Sequence, residues 1–227
     1  MAVLGISSAT KTISVGMADN GKVLSELTVS GKQAFTEELM NYIDRTVNEA
    51  EKGVGAVAVT IGPGSYSGLR GGLATAKTLC QTLDVPLVEV STLEAIAFNL
   101  LDITGTIAVV TDARKDEFNI ALFTAGGKGM TRLTRDMVMH LDAIASFLSK
   151  IEGELRLCGN TDEIDAALRV LNDNSPVLRT GPNNSFPRGG NVALIGEKKL
   201  NKGETADPMS SVPKYSVDPK IREFQRR

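Results

Sequence analysis

Ile61-Gly62-Pro63-Gly64-Ser65-Tyr66-Ser67-Gly68-Leu69-Arg70-Gly71-Gly72-Leu73-Ala74-Thr75-Ala76-Lys77 follows directly on the apolar run Ala56 to Ile61, and this strand-to-helix joint decides the fold. Five glycines fall within eleven residues, which calls for a backbone reason. Gly62 and Gly64 can adopt angles closed to other residues, so the chain can leave a buried strand sharply and let a phosphate or another backbone come close. Ser65 or Ser67 can then cap a helix running to Leu83. Within that helix Leu69, Leu73, Ala76, Cys80 and Leu83 step by four, three, four and three, an apolar stripe aimed at the core. Gly68, Gly71, Gly72 and Thr75 fall on another face, and glycine inside a helix costs roughly 1 kcal/mol relative to alanine. A face of small residues is expected where another helix comes very close.

Upstream, Ala2 to Ser7 is apolar and Thr12 to Ala18 alternates. Asp19-Asn20-Gly21 then supplies the positive-φ positions of a tight hairpin before Lys22 to Val29, giving three consecutive strands. A helix follows from about Thr36, with Leu39, Ile43, Val47 and Ala50 on one face, and Gly53 and Gly55 end it. Downstream, Val85 to Val90 reads as a strand. Ser91-Thr92-Leu93-Glu94 has capping-box spacing for a helix to about Leu101.

After Gly105 the same grammar restarts. Thr106 to Thr111, Glu117 to Thr124 and a stretch reaching Met139 read as strands, with a turn at Gly126-Gly127. A helix carries Leu141, Ile144, Leu148 and Ile151; Leu155 to Cys158 is a short strand; Asp162 to Leu171 returns to helix. Two halves of order β-β-β-α-β-α predict two domains, 1–104 and 105–227, each a mixed sheet flanked by helices, with a cleft at the seam. From Pro182 a helical stretch carries Val192, Ile195 and Leu200, then a Gly/Pro/Ser-rich linker runs from Gly203 to Pro213 and its end is expected to pack back on one of the halves.

A hydrophobic content of 42% and a charged content of 23% over 227 residues describe a folding globular chain. No apolar run is long enough to span a bilayer, and Met1-Ala2 leads straight into Val3-Leu4-Gly5-Ile6 without a signal-like region, so a cytosolic protein without membrane contact is expected. The formal charge of −2 supplies no global basic field for nucleic acid. Lys198, Lys199, Lys202, Lys214, Lys220, Arg222, Arg226 and Arg227 gather late in the chain and read as a solvated tail and helix face. Cys80 and Cys158 are isolated, apolar in setting and read as core residues.

Enzymatic motifs fail one by one. A dinucleotide fingerprint needs glycine where Ser67 stands, and the near P-loop Gly71 to Thr78 has Ala76 in place of glycine and lies inside the helix. Ser65 and Ser67 are each one position out of register for a nucleophile elbow. His140 is the single histidine, and with two separate cysteines it makes no transition-metal cluster. The residues lack the equipment for metal or nucleophilic chemistry, which points to work done in an assembly.

The run from Gly62 to Arg70 followed by Gly72 to Lys77 resembles the G-P-G-S-[FY]-[ST]-G-L-R-x-G-x-x-x-A-K signature of the TsaB family, also called YeaZ. Asp112-Ala113-Arg114-Lys115-Asp116-Glu117 resembles that family's D-A-R-x-x-E turn, and Pro213-x-Tyr215 extends the likeness over nearly the whole chain. The resemblance implies an α/β duplicated actin-like ATPase (ASKHA) fold. It also implies a part in forming threonylcarbamoyladenosine in tRNAs that read codons beginning with A, as a non-catalytic partner that holds and activates TsaD, with the ATPase TsaE joining. Gly64, Tyr66, Gly68, Arg70, Gly71, Gly72, Thr75, Thr36 and Met40 are then the expected partner interface. This chain is expected to require no cofactor or metal of its own, ATP or ADP belonging to the complex, with tRNA met only through it and a homodimer as the form of the isolated chain. Two departures stand out: Ile6-Ser7-Ser8-Ala9 replaces the family's I-D-T-[ST], removing the carboxylate that actin-like enzymes place near phosphates, and Tyr215-Ser216-Val217 replaces Y-L-R. The rival readings are an independent actin-like ATPase or kinase using the cleft, and a peptidase.

Overall fold

A computed structural model describes residues 1–30, 38–126, 129–159, 164 and 177–216. Strands β1 (Ala2–Ser7), β2 (Thr12–Asp19), β3 (Lys22–Ser30), β4 (Val54–Gly62) and β5 (Leu87–Ser91) form a five-stranded sheet in the order β3-β2-β1-β4-β5. The first three pair antiparallel and β1, β4 and β5 pair parallel. Asn20 and Gly21 take φ of 51° and 73°, as the hairpin reading requires. Their amides also donate to the two carboxylate oxygens of Glu197 at 2.7 and 2.8 Å.

The second sheet repeats the scheme. Strands β6 (Gly105–Arg114), β7 (Glu117–Gly126), β8 (Gly129–Arg132), β9 (Met137–His140), β10 (Leu155–Gly159) and β11 (Val177–Arg179) follow the order β11-β10-β6-β7-β8, with β9 also on β7. What reads in sequence as one long strand to Met139 is broken. β8 pairs with Phe123–Gly126 and β9 with Glu117–Ile120, and between them the Leu133 amide donates to the Leu122 carbonyl at 2.8 Å. The helix expected over Asp162 to Leu171 lies outside the described residues except Ile164, which is buried.

Helices α1 (Leu39–Ala50) and α2 (Tyr66–Leu83) cover one face of the first sheet, packing Leu39, Ile43, Leu73, Ala76 and Cys80 on Leu4, Ile6, Val57 and Val59. The α1 turn closes through Glu51, at φ 51°, before Gly53 is reached, and Gly55 is already in β4. Helix α4 (Leu141–Leu148) covers the matching face of the second sheet through Ile144, Ala145 and Leu148. The other two α-helices among the described residues are exchanged. Helix α3 (Thr92–Ala97), capped by Ser91 and continued by a 3-10 turn over Phe98–Leu100, lays Leu93, Ile96 and Leu100 on Ile107, Val109 and Phe123 of the second sheet. Helix α5 (Gly189–Leu200) returns to the first sheet and lays Val192, Ala193 and Ile195 on Val3, Ala58 and Val88. Each sheet is therefore covered on both faces, which is why β1, β2 and β4 are buried almost throughout and why β1 and β4 read as near-continuous apolar runs. The Ser91 hydroxyl accepts from the Glu94 amide, but the Glu94 carboxylate goes to Lys199 on α5 at 3.5 Å. Half of the capping box thus serves the exchange.

Candidate functional site

The glycine-rich joint is built by three segments far apart in sequence. β4 ends at Gly62, which precedes a cis bond to Pro63 and has φ 135°. A Cβ there would overlap the Lys214 carbonyl, and the Lys214 amide donates to the Ile61 carbonyl at 2.7 Å, so the late chain lies flat on the turn. A Cβ at Gly64 would likewise overlap the Ala9 carbonyl, which accepts from the Ser65 amide at 2.7 Å. Ser65 is the cap of α2, accepting from the Gly68 amide.

Gly68 and Gly72 do not leave a vacant face. Both point inward at the β1–β2 turn: a Cβ on Gly68 would strike the Ser8 carbonyl and one on Gly72 the Ser8 hydroxyl, and that hydroxyl donates to the Gly68 carbonyl at 2.8 Å. Gly72, expected on the partner-facing side of the helix, is instead buried against Ser8 and Val59, so a bulky residue there would meet the chain's own turn. These glycines answer to a close approach within the chain itself. The turn they press on is buried too, at Ser7, Ser8 and Ala9, and Ser7 accepts from the Thr60 hydroxyl at 3.1 Å.

The expected interface residues that α2 turns outward lie at its first turns. Gly64, Tyr66 and Arg70 are exposed, while Gly71 and Thr75 are half-buried, the Thr75 hydroxyl donating back to the Gly71 carbonyl at 3.0 Å. The Arg70 guanidinium lies 5.0 Å from the Tyr66 ring centre and also donates to its hydroxyl. On α1, over the neighbouring strands, Met40 is 50% exposed. Thr36 lies outside the described residues. Tyr215 is an addition that periodicity could not supply: its ring stacks on Tyr66 with centres 5.1 Å apart and planes at 26°. The only signal for it in sequence is the Pro213-x-Tyr215 match.

Elsewhere the chain offers little chemistry. His140 is exposed beside the Asp116 carbonyl and Glu117, and among the described residues no group of three or more His, Cys, Asp or Glu could hold a metal ion. Cys80 and Cys158 are buried, and burial pushes both thiols up to about 11. The near P-loop from Gly71 to Thr78 lies within α2. Leu83, placed in the core stripe by its spacing, is 46% exposed at the end of the helix.

Two sheets of equal strand order, each carrying the other half's helix, are the architecture of the actin-like ATPase fold. Solved structures agree: YeaZ from Pseudomonas aeruginosa superposes with a TM-score of 0.81 at 18% identity over 94% of this chain and 99% of that one. The ROK hexokinase from Thermus thermophilus does so with a TM-score of 0.54 at 14% identity over 89% of this chain and 100% of that one. The family model described as "TsaD: tRNA N6-adenosine threonylcarbamoyltransferase" matches residues 22–168. The chain belongs to that family, and within it to the TsaB (YeaZ) members. It is 26% identical over 219 residues to the tRNA threonylcarbamoyladenosine biosynthesis protein TsaB of Bacillus subtilis (strain 168), covering 95% of this chain and 93% of that one. No helix among the described residues is long and apolar enough to cross a membrane.

Proposed function

We propose that this chain is a non-catalytic scaffold and activator in the formation of N6-threonylcarbamoyladenosine in tRNAs that read codons beginning with A. It holds a TsaD-like transferase, and a TsaE-like ATPase joins the pair. The observation that carries the reading is the outward face at the head of α2, where Tyr66 and Arg70 stand exposed on a helix whose inner glycines are locked to the chain's own β1–β2 turn. An exposed aromatic and guanidinium pair is the composition of an interface anchor. Met40, Gly64, Gly71 and Thr75 extend that surface.

The actin-like fold implies a nucleotide between its halves, and the residues at the β1–β2 turn do not fit a phosphate and metal site. Ser7 and Ser8 are buried and bonded to Thr60 and Gly68, and the turn from Ser7 to Lys11 carries no carboxylate. ATP or ADP is accordingly assigned to partner chains, and tRNA is met through the complex. In the cytosol, without its partner, the chain pairs with a second copy through the same face.

The test is co-purification of the tagged full chain with the TsaD-like protein of the same cell, followed by transfer assays with and without this chain. A stable complex that falls apart with Arg70→Glu, and a transferase that needs this chain for turnover, is the expected result. ATP or peptide hydrolysis by the chain alone, abolished by a point substitution within it, would overturn the proposal.

A further inference from the structure

Residues 206 to 216 carry no helix or strand of their own, yet they are fastened to the body at several points. The Ala206 amide donates to the Leu87 carbonyl at 2.9 Å, covering the start of edge strand β5. Asp207 accepts from the amides of Met209 and Ser210 at 3.0 and 3.2 Å, closing a turn. The Ser211 hydroxyl, buried, donates to Glu89 at 2.6 Å, and the Lys214 ammonium reaches the other oxygen of the same carboxylate at 3.3 Å. Lys214 then bonds Ile61, and the next residue, Tyr215, stacks on Tyr66. Of the two side-chain bonds to Glu89 the serine's is the stronger hold, because it is short, charge-assisted and sheltered, whereas the lysine is 71% exposed and its pairing is screened by water.

Resting on the docking role argued above, we propose that this segment is a strap, latched on Glu89, that positions Tyr215 against Tyr66. The partner-facing surface at the head of α2 is then built from two parts of the chain about 150 residues apart. Glu89 itself faces no partner. It acts by setting where the strap ends, and Tyr215 supplies the second ring of the surface and holds the Tyr66 ring in one orientation. A partner thus meets an ordered pair of rings flanked by Arg70, with less ordering left to do on binding.

Hydrogen exchange on the full chain, together with titration calorimetry against the TsaD-like protein, separates the two parts of the proposal. Ser211→Ala and Glu89→Gln should each speed exchange of the Lys214 amide by about tenfold, while amides of β1 and β4 keep their protection. Both should weaken partner binding, by about fivefold. Tyr215→Ala should weaken binding by about tenfold with Ala206 exchange unchanged, and Tyr215→Phe, which keeps the ring, should restore it. An unchanged Lys214 amide in both latch variants would overturn the latch, and undiminished binding by Tyr215→Ala would overturn the composite surface. If the unaltered chain does not bind the TsaD-like protein, the scaffold reading and the composite surface fall together, and exchange at Lys214 still decides the latch.

Discussion

The two exchanged helices solve one packing problem in opposite ways. Helix α5 meets the first sheet backbone to backbone. Gly5 and Gly16 are paired across β1 and β2, and a Cβ on either would overlap main-chain atoms of Gly189, Gly190 or Ala193. Gly196 instead makes room for a side chain, since a Cβ there would overlap the Ala58 methyl. Helix α3 meets the second sheet through volume, with Leu93, Ile96 and Leu100 filling the space over Ile107, Val109 and Phe123. The same topology thus tolerates contact by absence of side chains in one half and by their bulk in the other. The first kind fails when atoms are added and the second when they are removed.

Adding atoms to the first should have the largest effect. Gly16→Val would set a branched side chain into the main chain of Gly189 and Gly190, which no rotamer can avoid. We expect a loss of about 5 kcal/mol, or no folded protein at all. Urea unfolding would read it, and a variant of wild-type midpoint would remove the backbone contact from the comparison. Removing atoms from the second comes next. Phe123 is fully buried beneath α3, and Phe123→Ala should cost about 3–4 kcal/mol. A cost below 1 kcal/mol would mean that α3 does not rest on that ring.

A third substitution tests the glycine face of α2. Gly72→Leu must displace Ser8 and break its bond to the Gly68 carbonyl, and an expected loss of about 2 kcal/mol follows from overpacking. The loss is smaller than at Gly16 because a serine side chain can rotate where a main chain cannot. Unchanged thermal unfolding of Gly72→Leu would show that the turn gives way freely.

The order of elements along the chain was legible because it depends on local signals: Asn20-Gly21 for the hairpin, the Ser65 and Ser91 caps, and the restart of the strands after Gly105. Their bonds span few residues. The inward role of Gly68 and Gly72 was not legible, because a small-residue face looks the same in sequence whether it awaits another protein or receives the chain's own turn 60 residues away. Gly5 and Gly189 pack across a still longer span, and no periodicity links them. Tyr215 follows an irregular strap whose course is set by Glu89 and Ile61, so its meeting with Tyr66 has no local cause. Leu83 obeyed the apolar spacing of α2 but is the last residue of the helix and stands exposed there.

The smallest effect sets one thiol of each half against the other. Burial raises both to about 11, so the folded state holds their protons more tightly than the unfolded chain does. For a group raised in this way, its contribution to stability is complete below the unfolded thiol value near 9.0 and is lost as pH climbs towards 11. Alkaline unfolding should therefore begin above pH 9.0 and be delayed in a Cys80→Ala, Cys158→Ala double variant. The two thiols should still differ in access. Cys158 lies in the apolar layer under α3 and donates to the Asn184 carbonyl at 2.8 Å, so a reagent reaches it only when the halves part. Cys80 lines a cleft of 390 Å³ between the end of α2 and the strap, with Gln81, Pro86 and Met209, so loosening of the strap alone is enough. Labelling by a disulfide reagent at neutral pH should modify Cys80 about tenfold faster than Cys158. Equal rates would mean that both open only with global unfolding, and that the strap is as firmly held as the layer between the sheets.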